Sequence, residues 1–160
     1  MAGRVVAAED VRGVLQTDFS PGSGNALQAC VASMVGVAGP LDASGAGGGA
    51  VPNFIVDPRG YDAALGAWAE ARGLGWAKVT LDAAGALPAG SLPAGVPRDA
   101  LCVLRGKSPR GDHAHVVVAQ LREGKPAALF DPHPDGTMLD GPGSWAGFLC
   151  PLPPRERVGE

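Results

Sequence analysis

Hydrophobic and small residues fall into helical blocks at the front of the chain and short strand-like runs behind. Leu27, Val31, Met34 and Val35 recur at three- and four-residue spacing, with Ala26, Ala29, Ala32 and Ser33 as small fillers. That pattern predicts a buried helix opened by Asn25 as its N-cap and stopped by Gly36. Tyr61, Leu65, Trp68 and Ala69 share one face of a second helix that ends near Gly73. Leu74 to Leu81, Leu101 to Leu104, His115 to Leu121, Ala127 to Phe130 and Phe148 to Leu152 read as strands bounded by turn residues. Two or three helices ahead of an antiparallel sheet make an α+β arrangement, with the first helix packed on the sheet, rather than a parallel doubly wound one.

The segments between these elements are turn-rich. Val11 to Gln16 alternates weakly and runs into a loop, Thr17 to Gly24; Asp82 to Pro97 also reads as loop. Val37 to Val51 contains Gly47-Gly48-Gly49 and has no period, which predicts a surface excursion whose part from Gly39 to Ala50 serves as a lid or is a tolerated insertion. The chain has 160 residues, the size of one domain, so residues 1–160 are expected to share a single core. Its 25 glycines and 15 prolines fit modest elements joined by long loops.

Charge narrows the partners. The formal charge is −3 and lysines and arginines form no run, which argues against nucleic acid or an anionic membrane surface and favours a small or peptide-like ligand. Met1 to Asp10 shows neither a secretory apolar stretch nor a membrane span, so a cytoplasmic location is expected. Cys30, Cys102 and Cys150 are widely spaced and odd in number, which suggests reduced thiols rather than disulfides or a thiolate zinc site.

Candidate chemistry lies in two places. The run His115 to Leu121, the polar turn Arg122 to Pro126 and the run Ala127 to Asp131 read as a hairpin. Counting back from residue 121 paired near 126 or 127 puts His115 opposite 132 or 133, within reach of Asp131. A buried carboxylate on one ring nitrogen fixes the imidazole tautomer and frees the other nitrogen to take a proton from a nucleophile; a purely structural His-Asp bond is the alternative. His113, two residues from His115, is expected on the same strand face, and with His133 it offers a possible metal site. At the front, the start of a buried helix is where a nucleophilic thiol belongs, because free N–H groups and the helix dipole lower its pKa. That position is Ala26; Cys30, one turn further in, reads as a core thiol.

Five ordered segments carry a family resemblance: Gln16-Thr17; Gly24-Asn25-Ala26-Leu27-Gln28-Ala29-Cys30-Val31-Ala32-Ser33; Val51-Pro52-Asn53-Phe54; Gly106 to His115, reading GKSPRGDHAH; and Asp131-Pro132-His133-Pro134. Together they resemble a small bacterial and phage family of papain-like cysteine hydrolases, related in fold to transglutaminase-like and bacteriocin-processing peptidases. The resemblance implies a Cys-His-Asp triad acting on an amide, peptide or thioester bond without a cofactor. It makes His115 the general base, Asp131 its orienting partner and Gln16 an oxyanion donor, with Asn25, His113 and His133 expected to bind substrate. It also implies cysteine where this chain has Ala26. Three readings of that alanine stand side by side: a deliberate replacement of the nucleophile, a natural pseudoenzyme that keeps the cleft for binding, or a nucleophile at Cys30 instead. Alongside the hydrolase stand a non-catalytic peptide or small-molecule binding domain and a metal-dependent hydrolase using His113, His115 and His133.

Overall fold

The computed structural model describes residues 4–20, 22, 24–37 and 51–153, so the excursion from Gly39 to Ala50 lies outside the described residues. The two predicted helices form as α1 (Ala26–Val35) and α2 (Tyr61–Glu70). The strands are β1 (Leu74–Thr80), β2 (Leu101–Lys107), β3 (Ala114–Arg122), β4 (Lys125–Phe130) and β5 (Trp145–Pro151). They make one antiparallel sheet in the order β1-β5-β2-β3-β4. The mixed α+β architecture with a helix on an antiparallel sheet is therefore present.

Both faces of the sheet are covered. α1 lies on β3 and β2, and α2 lies on β1. Leu27, Val31 and Met34 of α1 pack with Phe54, Leu65, Trp68, Val103 and Val118 on that side. On the other side Cys102, Val117, Ala119 and Phe148 meet Leu81 and Val96 from the loop between β1 and β2. Strands buried on two faces read as continuous apolar runs, which is why alternation was faint in the sequence. Each fully buried large side chain, such as Phe54, Met34 or Phe148, contributes roughly 2 kcal/mol by its removal from water.

α1 is a core helix with eight of its ten residues buried. Its polar members are bonded: Ser33 Oγ donates to Ala29 O at 2.8 Å and accepts from Val14 N at 2.9 Å. Gly36, at φ 77°, ends the helix in the left-handed region that only glycine enters freely.

Three boundaries differ from the sequence expectation. β5 begins at Trp145, before the run Phe148 to Leu152, because Gly147 is a strand residue and not a breaker: a Cβ there would collide with the Trp76 ring. β2 runs on through Arg105-Gly106-Lys107, where Gly106 lets Leu139 and the backbone of Gly143 approach closely. β3 begins at Ala114, so His113 stands in the bend before the strand and the alternation that was to put it beside His115 does not reach it.

The hairpin register matches the count. Leu121 pairs with Pro126 and Ala119 with Ala128, then a bulge shifts the ladder so that Val118 pairs with Phe130. The bulge adds a residue to β4 and bends it. Asp131 leaves the ladder there and its side chain returns to His115.

Candidate functional site

A cleft of about 710 Å³ opens where the start of α1 meets the open end of β3. Ala26, Gln16, His113, His115 and His133 all line it. Its parts are held by three buried polar side chains, each with a distinct task.

Asp131 anchors the first part. Its carboxylate is fully buried and Oδ1 lies 2.7 Å from His115 Nε2. Oδ1 also accepts from His133 N at 2.9 Å, and Oδ2 accepts from Met138 N at 2.8 Å. Met138 takes φ 64°, an uncommon value for a residue with a Cβ, and thereby helps close the loop around the carboxylate. Arg110 stands 3.9 Å from Oδ2 and binds Asp135 at 3.0 Å and Thr137 Oγ1 at 3.0 Å. The GKSPRGDH segment is thus clamped to the DPHPDG segment, although they are far apart in sequence.

His115 is buried, and among the described residues its Nδ1 has no protein partner. Burial lowers its pKa below the usual imidazole value, and the Asp131 carboxylate opposes that shift only in part. The ring is therefore a neutral base at neutral pH. The sign for stability follows: the unfolded chain takes the proton first as pH falls, so this contribution is complete above about pH 6.5 and is lost as pH drops toward the folded pKa. Stability measured by urea unfolding should fall with acidification over that window, and His115→Ala should flatten this part of the profile. An unchanged slope in the variant would refute the assignment.

Asn25 organises the second part. Its Oδ1 accepts from Thr17 N at 2.8 Å and Asp18 N at 2.9 Å, while Nδ2 donates to Thr17 Oγ1 and Gln28 Oε1. The helix starts after Asn25 as expected, but the side chain makes no capping bond because it is turned back to the preceding loop. Buried to 2% exposure, Asn25 does not line the cleft, so it shapes the site rather than binding substrate. The uncapped start leaves first-turn N–H groups, those of Ala26 and Leu27, without an intrahelical acceptor beside the cleft.

Gln16 is the third part. Its backbone N donates to Pro132 O at 2.9 Å, tying the front loop to the Asp131 loop. Nε2 donates to Asp18 O at 3.1 Å, and Oε1 is buried with no partner among the described residues. A buried unpartnered amide atom costs about 1–3 kcal/mol, a cost that a bound ligand or water relieves.

Two of the alternatives are disfavoured by the geometry. Cys30 is wholly buried one turn inside a helix that starts at Ala26, and burial, reinforced by Asp131 and Cys102, raises its pKa well above the ordinary thiol value. Burial therefore disfavours a thiolate at this position. Burial also pushes Cys102 up to about 12 and raises Cys150. For a metal, no three His, Cys, Asp or Glu side chains converge among the described residues. His133 does approach His115 despite its flanking prolines, with ring centroids 6.5 Å apart, and its edge packs against Phe19 at 5.0 Å. His113 is exposed at the rim.

Comparison with protein-family models, curated proteins and solved structures returns no match. Among the described residues no helix is long and apolar enough to cross a membrane.

Sequence reading did not find the far end of the cleft, formed by Ile55, Tyr61, Arg105, Val116 and Trp145. Tyr61 stacks on Trp145 with centroids 6.3 Å apart, and Trp76 meets Trp145 edge-on at 6.1 Å. Lys78 Nζ lies 4.8 Å from the Tyr61 centroid and 4.9 Å from that of Trp145. Only the strand order brings these residues together. Arg110, by contrast, lies within the GKSPRGDHAH run, whose pattern alone gave it no role.

Proposed function

We propose that this chain has a papain-like cysteine-hydrolase fold whose cleft is arranged for acyl transfer at an amide, peptide or thioester bond, with Ala26 standing where the nucleophile belongs. The observation that carries the reading is the meeting, in one cleft, of an uncapped helix start at residue 26 with a neutral imidazole oriented by a buried carboxylate. A thiol at position 26 would face the positive end of the helix, His115 would take its proton, and the tetrahedral oxyanion would meet the first-turn N–H groups and the Gln16 Nε2–H that Asp18 O does not hold. Alanine has no group for His115 to activate, so the chain as it stands binds without covalent chemistry.

A small activated ester tests this. On mixing with p-nitrophenyl acetate, Ala26→Cys should release a stoichiometric burst of p-nitrophenolate that neither the unaltered chain nor Ala26→Cys/His115→Ala releases. Equal release from all three proteins would sink the proposal. Ala26 itself favours a second reading, a domain that uses the same cleft only to bind a peptide or small molecule. That reading expects no burst from Ala26→Cys and ligand affinity indifferent to the substitution.

A further inference from the structure

The cleft carries a charge pattern that the overall composition hides. The chain is acidic, with a formal charge of −3. Yet Arg105, Arg110, His113, His115 and His133 line the cleft and, among the described residues, no carboxylate does. Arg110 is committed to Asp135 and stands near Asp131. Arg105 is different: its side chain has no carboxylate partner among the described residues, only a long bond from Nη1 to Ser144 Oγ at 3.5 Å.

Arg105 occupies a defined place. It pairs with Trp145 on one neighbouring strand and with Val116 on the other, so the three form a row across β5, β2 and β3. Directly opposed residues have Cβ atoms about 5 Å apart, which sets the stem of the Arg105 side chain beside Trp145. Leu27, Ile55 and Tyr61 complete the apolar surroundings. Asp62, next to Tyr61, is taken up by Lys78 Nζ at 2.8 Å and Trp76 Nε1 at 2.9 Å and leaves Arg105 unneutralised.

We infer that the Arg105 end of the cleft is a subsite for a carboxylate borne next to an apolar or aromatic group on a peptide-like substrate. This deepens the hydrolase reading and rests on the same cleft. A planar guanidinium matches the two oxygens of a carboxylate through a fork of N–H donors, and low-dielectric walls strengthen the pairing. The stacked Tyr61 and Trp145 rings supply a flat surface for the apolar neighbour. Both an acidic side chain and a chain-terminal carboxylate have this chemistry.

Calorimetric titration of the unaltered chain, which needs no bond cleavage, tests the subsite with three probes. These are acetyl-Glu-Phe-amide, acetyl-Gln-Phe-amide and acetyl-Gln-Phe with a free C-terminal carboxylate. One of the two acids should bind roughly tenfold or more tightly than the neutral amide, and which one does so identifies the source of the carboxylate. Added salt should narrow the gap. Arg105→Met keeps the apolar stem and should erase the preference; Arg105→Lys, which keeps the charge and serves if the methionine variant fails to fold, should retain only part of it. Equal binding of the three, no saturable binding of any, or a preference that survives Arg105→Met would overturn the inference. Because the unaltered chain is used, a failed ester burst with an intact acid preference removes the hydrolase and leaves the subsite, and the converse result does the opposite.

Discussion

Asp131→Ala is expected to destabilise the chain by about 3–5 kcal/mol, because three buried donors lose a charged acceptor at roughly 1–2 kcal/mol each. Three donors converge on that carboxylate: the His115 ring and the backbone N–H groups of His133 and Met138. Alanine leaves them without an acceptor and removes the reason for Met138 to hold φ 64°. Asp131→Asn keeps the shape and one acceptor oxygen but turns a donor toward a place where donors already point, so its loss should be about half as large or less. Urea unfolding of both variants measures this. If Asp131→Ala unfolds within about 1 kcal/mol of the unaltered chain, the cage around the carboxylate is not holding these loops, by the usual scale of single substitutions.

A purely structural aspartate and one that also orients a base differ in one respect. In the Ala26→Cys background, Asp131→Asn should slow alkylation of the introduced thiol even where it leaves the fold intact, because His115 loses its fixed tautomer. A structural aspartate leaves the thiol rate unmoved. That separation matters because both tasks would fall on the same carboxylate atoms.

Much of this was legible in the sequence, for identifiable reasons. α1 was readable because Leu27, Val31 and Met34 keep helical spacing and Gly36 stops them. The His115/Asp131 meeting was readable because a short polar turn fixes the register of β3 on β4, and the bulge before Phe130 stayed within the error of the count. The resemblance marked the same residues from a different direction. What escaped depends on distant pairing. The start of β5 was hidden because Gly147 looks like a breaker until Trp76 is seen lying over it. The Arg105, Trp145 and Val116 row exists only once β5 and β3 are known to flank β2.

Asn25 shows a subtler failure. Its residue type and position suited a helix cap, and the helix does begin after it, but a side-chain oxygen can accept from any nearby N–H. Here Thr17 N and Asp18 N compete successfully, and the helix start is left open toward the cleft. A capped start would have used these first-turn N–H groups within the protein itself.

The central claim is that the cleft would activate a thiol at position 26, and the pH dependence of iodoacetamide labelling in Ala26→Cys tests it most directly. Cys30, Cys102 and Cys150 are buried with raised pKa values and should label slowly at neutral pH. The introduced thiol should label fastest, with an apparent pKa below the free-cysteine value of about 8.5, and His115→Ala should raise it toward that value. A thiol at position 26 that labels no faster than the native three, or whose profile is indifferent to His115, would contradict the account.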